Sequence, residues 1–302
     1  MIPGPIEVSE AVISAYSIRP PSHVAPTFIE QFGIAVERMR EVWLATAESQ
    51  PFIVPGSGTM AMEMAATNLV EPGEDVLVVN AGYFGDRMAD MLRRRGAVIH
   101  QVRAEIGAVP SLDEVAQALD ETKARVLFAT HVDTSTGVKV DAEGLTRLAR
   151  ERDILCAFDG VCATAAEPFA MGEWDADCYL TGSQKAIGLP AGLGLMVASP
   201  RALQKREKLE REPPMVLDWF KWLPIMRAYE ERKGSYFATP ATSLVPALTT
   251  ALGELVDDRD GELTGIRATF ARHRRVAQSC RDAWARMGLS LVAADPGTAG
   301  NT

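Results

Sequence analysis

The chain has 302 residues, of which 47% are hydrophobic and 24% are charged, and its formal net charge is −9 at pH 7. This is an ordinary globular composition, with enough apolar material to build a core in one large domain or two. The acidic balance argues against a protein that binds nucleic acid or an anionic membrane surface.

The cysteine pattern and the absence of targeting segments indicate an intracellular protein. The four cysteines, at positions 156, 162, 178 and 280, form no CxxC pair and lie mostly in apolar runs. We therefore predict buried free thiols rather than disulfides or zinc ligands. No apolar stretch is long enough to span a bilayer, and the N-terminus lacks a signal-peptide pattern. We expect a soluble intracellular protein, with cytosol, peroxisome and mitochondrion all left open.

Strand-like and helical segments alternate between residues 27 and 199. Helices are predicted over residues 27–45, 60–69, 85–95, a segment that opens with a capping box at 111–114, and 141–152. Strands are predicted over residues 75–80, 97–102, 125–130, 154–159, 177–180 and 192–199. This alternation predicts an α/β fold with a mostly parallel sheet covered by helices on both faces. In such sheets ligands bind beyond the carboxyl ends of the strands.

The two ends of the chain have a different character. Residues 1–26 are rich in proline and turn formers, and we predict an arm that lies over a neighbouring surface. The predicted elements after residue 199 are helices over 243–256 and 261–287 and a short strand over 289–292. One helix and one strand cannot bury a core alone. We therefore predict a large domain over 27–259, and a small α/β domain that begins at 260 and is left incomplete at 302.

Lys185 is the residue on which the functional interpretation depends. It follows small polar residues in a turn between two predicted strands, and its neighbours are small or apolar. Such surroundings disfavour the ammonium form and suit an amine that acts as a nucleophile in Schiff-base chemistry. A solvated surface lysine is the ordinary alternative. A carbonyl cofactor would also need an anion site, a carboxylate and a flat group beside its ring.

A glycine-rich segment at 56–59 supplies a candidate anion site, because it precedes a predicted helix whose first N–H groups are free. Residues 56–61 also fit the G-x-G-x-x-A pattern of dinucleotide binding. That pattern expects an acidic residue at the end of the next strand, and this strand ends at Asn80. We therefore prefer a single phosphate, with Ser57 and Thr59 as hydroxyl donors.

Three further candidates follow strand ends, and each has a structural alternative. Asp159 is placed to pair with a protonated pyridine nitrogen, or it caps a helix or turn. Phe84 is placed to cover a flat ring, or it belongs to the core. The hydroxyl-rich turn at 130–137 binds a ligand, or it caps the helix that follows. We interpret His131, within that turn, as structural.

Seven motifs in order along the chain resemble those of the class V aminotransferases, which are fold type I pyridoxal-phosphate enzymes, and most of all their alanine–glyoxylate branch. The motifs are IPGPIE at 2–7, GSGT at 56–59, NAGYFGD at 80–86, THVDTSTG at 130–137, FDGV at 158–161, SQKAIG at 183–188 and SYFATP at 235–240. The resemblance implies a seven-stranded sheet sandwiched by helices, and a homodimer.

The resemblance also implies a role for each candidate residue. Lys185 would form the imine with pyridoxal phosphate and then move the substrate proton, while Asp159 pairs with the pyridine nitrogen. The remaining implied positions are Phe84 and Val161 on the two ring faces, Thr134 at the ring hydroxyl, Ser57, Gly58, Thr59 and Gln184 at the phosphate, Tyr236 and Thr239 reaching the phosphate of a partner subunit, and Gly4 near the substrate.

The implied reaction transfers an amino group from L-alanine, or also from L-serine, to glyoxylate, as in glyoxylate detoxification or glycine formation. One alternative is a class V lyase related to cysteine desulfurases or kynureninases, although desulfurases carry histidine where this chain has Gln184. Another is a cofactor-binding remnant without turnover, because the family's arginine that clamps the substrate carboxylate falls beyond residue 302.

Overall fold

A computed structural model describes residues 4–302, so the first two residues of the 2–7 motif and the first three of the predicted arm lie outside the described residues. The helices are α1 (Glu10–Tyr16), α2 (Pro26–Val42), α3 (Gly58–Leu69), α4 (Tyr83–Arg95), α5 (Leu112–Glu121), α6 (Ala142–Glu151), α7 (Met171–Trp174), α8 (Pro200–Glu207), α9 (Trp219–Glu230), α10 (Leu244–Val256) and α11 (Ile266–Arg286). The strands are β1 (Gln50–Pro55), β2 (Asp75–Asn80), β3 (Val98–Arg103), β4 (Val126–Thr130), β5 (Val132–Asp133), β6 (Val138–Lys139), β7 (Leu155–Asp159), β8 (Cys178–Gly182), β9 (Leu193–Ala198), β10 (Arg259–Asp260) and β11 (Leu263–Thr264).

The central sheet has seven strands in the order β1, β9, β8, β7, β4, β2, β3. All of its neighbouring pairs are parallel except those that β9 makes with β1 and β8. The inner strands are buried along their whole length, as continuous apolar runs require when helices cover both faces of a sheet. The predicted α/β architecture is confirmed.

Local sequence signals account for several helix ends. Ser57 caps α3, and its hydroxyl accepts the Met60 N–H at 3.2 Å. The predicted capping box is present at the start of α5, where the side chains of Ser111 and Glu114 each accept a backbone N–H from the other residue. Gly96 ends α4 in the left-handed conformation, with φ of 95°.

The parallel strands bring the candidate residues to one edge of the sheet. Asn80, Thr130 and Asp159 are the last residues of β2, β4 and β7. Lys185 lies in the turn between β8 and β9, as predicted from its sequence. Asp159, Lys185 and the start of the hydroxyl-rich turn at 130–137 therefore meet at this carboxyl edge, although they are far apart along the chain.

The C-terminal region departs from the sequence prediction. The predicted helix over 261–287 begins only at Ile266, because the hairpin of β10 and β11 turns at Gly261, which has a φ of 62°. The predicted strand over 289–292 is wrong: this segment has no regular structure, and Leu289 and Val292 are each 57% exposed. An alternating apolar pattern becomes a strand only beside a neighbouring strand, and this segment pairs with none among the described residues.

Three further observations concern the N-terminal arm, the cysteines and the apolar content of the helices. The proline-rich arm contains α1, which Ser9 caps. All four cysteines are free thiols, three of them buried and Cys280 partly exposed. In residues 4–302 no helix is both long and apolar enough to cross a membrane.

Candidate active site

A cavity of about 200 Å³ opens at the carboxyl edge of the sheet. Nine residues predicted from the sequence line it: Ser57, Gly58, Thr59, Phe84, Thr134, Asp159, Val161, Gln184 and Lys185. The sequence interpretation did not single out five others: Met62, Arg87, Thr130, Val132 and Cys162. The cavity thus joins residues from five separate segments of the chain.

One end of the cavity is the N-terminus of α3, where free N–H groups and the helix dipole favour an anion. A Cβ atom at Gly58 would lie 2.6 Å from Val161 Cγ2, so only glycine lets these two segments approach so closely. The Thr59 hydroxyl accepts a hydrogen bond from Arg87 Nη1 at 3.0 Å. The N-terminus of α3 and the Arg87 guanidinium group thus place two positive groups at this end of the cavity.

Lys185 lies against the N-terminal arm. Gly4 has a φ of 118°, and a Cβ atom there would lie 2.8 Å from Lys185 Cδ and 3.0 Å from Nζ. The Ile6 N–H donates to the Gln184 carbonyl oxygen at 3.4 Å, which ties the arm to the lysine turn. Gly4, expected near a substrate, is therefore in direct contact with the side chain that carries the candidate nucleophile.

Asp159 supplies the acidic group at another wall. Only 2% of its surface is exposed, and burial raises the pKa of its carboxyl group to about 6. The nearby Asp133 raises this pKa further, whereas a hydrogen bond from the Val161 N–H, at 2.9 Å, and the charge of Arg87 oppose the rise. A cation bound beside Asp159 would lower this pKa and stabilise the carboxylate. Asp159 also has the turn-forming role given as the alternative, because its Oδ1 atom accepts the N–H of Val161, two residues later.

Polar residues of the hydroxyl-rich turn position Phe84. Asp133 Oδ2 accepts the N–H groups of Phe84 and Gly85, at 2.8 and 3.3 Å, and so caps the start of α4. Asp133 Oδ1 accepts the Ser135 hydroxyl at 2.6 Å, and that hydroxyl oxygen accepts the Tyr83 N–H at 3.0 Å. The alternative that this turn caps the helix after it is excluded, since Asp141 caps α6.

Two predicted residues do not reach the cavity of their own chain. Tyr236 is 61% exposed, with its ring centroid 5.3 Å from that of His23, and Thr239 is also exposed.

His131 is buried with Nδ1 2.9 Å from the Tyr179 hydroxyl, and burial lowers its pKa to about 3. A neutral histidine packed among aromatic rings has a structural role.

Two residues that the sequence interpretation missed are of chemical interest. The Thr130 Oγ1 atom is buried and has no hydrogen-bond partner within residues 4–302, so it needs a polar atom from a ligand or water. Arg87 is half-buried and lies one helical turn after Phe84. The available signals were the position of Thr130 at a strand end and the i, i+3 spacing of Phe84 and Arg87.

Comparison with known proteins gives a consistent result. The profile of the family described as Aminotransferase class-V matches residues 10–253. Alanine–glyoxylate aminotransferase 1 of Saccharomyces cerevisiae is 34% identical, with 97% of this chain and 77% of the yeast protein covered. The L-aspartate–glyoxylate aminotransferase of Paracoccus denitrificans is 33% identical, and the serine–glyoxylate aminotransferase of Hyphomicrobium methylovorum is 31% identical. Both alignments cover 98% of this chain, and they cover 72% and 71% of those proteins.

A solved structure is also similar at the level of the fold and of the sequence. The crystal structure of an alanine–glyoxylate aminotransferase from Nostoc superposes with a TM-score of 0.86 at 30% identity. The superposition covers 96% of this chain and 74% of the Nostoc chain. The fold and the sequence therefore point to the same group of enzymes.

We predict that Asp159→Asn stabilises the protein when it has been freed of bound small molecules. The folded-state pKa of about 6 lies above the ordinary value of 3.8, so ionisation of this buried group costs stability increasingly as the pH rises between these values. The full cost, on the order of 3 kcal/mol, is present near pH 7.5 and is smaller near pH 4.5. The measurement is the denaturation midpoint of variant and parent at both pH values. Asp113→Asn, at an exposed position on α5, is the control, and an equal response of the two variants would contradict the prediction.

Proposed function

Because the chain belongs to the class V aminotransferase family and so uses pyridoxal phosphate, we propose that it transfers the amino group of L-alanine, with L-serine as a second donor, to glyoxylate. One observation carries this proposal: a lysine, a buried carboxyl group and a helix N-terminus line a single cavity. The names of the three relatives share glyoxylate and differ in the amino acid. The acceptor is therefore better supported than the donor.

The residues present in the cavity fit this cofactor. The N-terminus of α3 suits its phosphate, the acidic wall at Asp159 suits its ring nitrogen, and the unpartnered Thr130 hydroxyl calls for a polar atom in the cavity. The proposed contacts are Ser57, Gly58, Thr59 and Gln184 with the phosphate, Phe84 and Val161 with the two ring faces, Thr134 with the ring hydroxyl and Asp159 with the ring nitrogen.

Proton transfer is the task of the chain's own side chains. Pyridoxal phosphate, when bound, supplies a carbonyl group for amines and a ring that delocalises electrons from the substrate's α carbon. Lys185 would hold the cofactor through that carbonyl group, and its amine would take the substrate's α proton as a general base and later return a proton as an acid. Asp159, when ionised, would pair with the protonated ring nitrogen and keep that proton in place. Phe84 and Val161 would contact the two faces of the ring.

We predict that the purified protein shows a visible absorbance band with pyridoxal phosphate, and that Lys185→Ala abolishes it. L-alanine should bleach the band in the parent protein, and glyoxylate should restore it with formation of glycine. The measurement is a titration of the visible spectrum with L-alanine, L-serine and L-aspartate in turn. Lys221→Ala, at an exposed position on α9, is the matched control and should behave as the parent does. A band that no amino acid bleaches would contradict transamination, and a band retained in Lys185→Ala would contradict the role of the lysine.

We predict that Gly4→Ala lowers turnover on the order of tenfold or more, because displacement of a reacting group by about 1 Å is costly. The new methyl group would overlap Lys185 Cδ, and the φ of 118° also disfavours alanine. Gly261→Ala is the control, since it has a φ of 62° with nothing within 4 Å of the new atom. The measurement is kcat and KM of both variants. Equal losses in the two would mean that backbone strain, rather than contact with the lysine, is responsible.

We also propose that the protein works as a homodimer in which Tyr236 and Thr239 complete the phosphate site of the other subunit. The support is their exposure on their own subunit, together with exposed apolar side chains on the N-terminal arm such as Ile13 and Tyr16. Apolar groups of this size, close together on a surface, are typical of an interface.

Mixing two inactive variants tests the shared site. Lys185→Ala and Tyr236→Ala should each have little activity alone. A mixture, dissociated and reassembled, should regain about a quarter of the parent's activity, because half of the dimers are mixed and each mixed dimer has one intact site. The measurement is glycine formation per subunit. Mixing Lys185→Ala with a Lys185→Ala, Tyr236→Ala double variant is the control and should regain nothing. Failure of the first mixture to regain activity would contradict a shared site.

A further inference from the structure

Arg87 is a cation on the wall of the cavity that forms no ion pair among the described residues, although its charge acts on the carboxyl group of Asp159. Within residues 4–302 no carboxylate lies within 4.0 Å of its guanidinium group, whereas Arg94 and Arg103, on and near the same helix, each pair with an aspartate. Its position is nevertheless defined. Nη1 donates to the Thr59 hydroxyl at 3.0 Å, and the guanidinium carbon lies 4.7 Å from the centroid of the Phe84 ring.

One neighbour of Arg87 repels it unless an anion is bound. Thr59 lies in the first turn of α3, where the helix dipole is positive and repels a cation. The ring of Phe84, the ring of Tyr83, whose centroid is 5.1 Å from the guanidinium carbon, and the charge of Asp159 oppose this repulsion. A doubly charged anion at the α3 N-terminus would convert this repulsion into two favourable interactions, one with the helix and one with the guanidinium group.

We propose that Arg87 binds the phosphate of the cofactor directly, held in place by Thr59 and by the faces of Tyr83 and Phe84. This inference rests on the proposed function, because it takes the cofactor's phosphate to lie at the N-terminus of α3. It adds a charged ligand to a site that otherwise consists of backbone N–H groups, hydroxyl groups and an amide. Arginine suits this task because its planar donors match the geometry of phosphate oxygens.

The test compares pyridoxal phosphate with pyridoxal, which has the same ring and carbonyl group and no phosphate. The 302-residue chain, freed of cofactor, is titrated with each compound, and the dissociation constant is read from the visible absorbance band. Arg87→Met should raise the dissociation constant of pyridoxal phosphate about tenfold or more, the scale of one charge-assisted hydrogen bond. The dissociation constant of pyridoxal should change less than about twofold. Arg87→Lys should restore part of the loss, since it keeps the charge and loses the planar donors.

Arg94→Met is the control, because it removes an exposed arginine of the same helix that pairs with Asp90. It should leave both dissociation constants unchanged. The thermal midpoint of each variant shows whether it folds, and Arg87→Lys provides the test if Arg87→Met does not.

Three outcomes would overturn the proposal. Equal weakening of pyridoxal phosphate and pyridoxal would mean that Arg87 acts only through the Phe84 ring or the fold. No weakening of either would mean that it does not contact the cofactor. A rise in the KM for L-alanine alone would place it at the substrate carboxylate. In each of these the parent protein still forms its band, whereas absence of the band from the parent would refute the proposed function itself.

Discussion

The burial of the Asp159 carboxyl group at the end of a parallel strand is the constraint on which the cavity depends. A carboxylate in that position is costly unless a cation faces it, and its raised pKa expresses that cost. The opposite demand exists at the N-terminus of α3, where free N–H groups and Arg87 call for an anion. One molecule with a phosphate at one end and a protonated ring nitrogen at the other would satisfy both demands. The charged groups that line the cavity therefore complement those of pyridoxal phosphate.

A second polar group, the Asp133 carboxylate, determines the position of Phe84 in the cavity wall. The Asp133 carboxylate accepts the N–H groups of Phe84 and Gly85 in the first turn of α4, and through them it fixes Phe84 at the cavity wall. Asp133 itself does not line the cavity, so its contribution is to position other residues. A Cβ atom at Gly82 would lie 2.5 Å from Asp133 Cγ, which shows how closely the turn and the helix start are packed. We expect a substitution of Gly82 to shift Phe84, although Gly82 itself does not line the cavity.

The relatives separate the common part of the chemistry from the variable part. Their names agree on glyoxylate and on amino-group transfer, and they differ between alanine, aspartate and serine as donor. Nine of the fourteen residues that line the cavity are those expected to hold a cofactor or to move a proton. These tasks are the same for every donor. Discrimination between donors therefore depends on contacts with the substrate's own side chain and carboxylate, which are distinct from the anion and ring sites described above.

Much of the site could be predicted from the sequence because its signals are local. Glycines before a helix, an aspartate at the end of an apolar strand and a lysine among small residues each express chemistry within a few positions of the chain. The order of strands and helices was also recognisable, since a buried parallel sheet leaves continuous apolar runs. The predicted strand over 289–292 failed for the converse reason, because pairing depends on a neighbour that the local pattern does not reveal.

The tertiary structure decided which groups face each other. Arg87 is of interest because it contacts Thr59, and Gly4 because it contacts Lys185. Thr130 is of interest because it lines the cavity. In each case the partners are distant in sequence or belong to another element. Folding also decided which helix Asp133 caps: it accepts N–H groups of α4, an earlier helix that is distant in sequence, rather than those of α6, which follows it. Sequence by itself determined the kinds of chemical group available and the elements that carry them. Only folding determined their distances, burial and charges relative to one another, because these depend on packing between segments that no local pattern encodes.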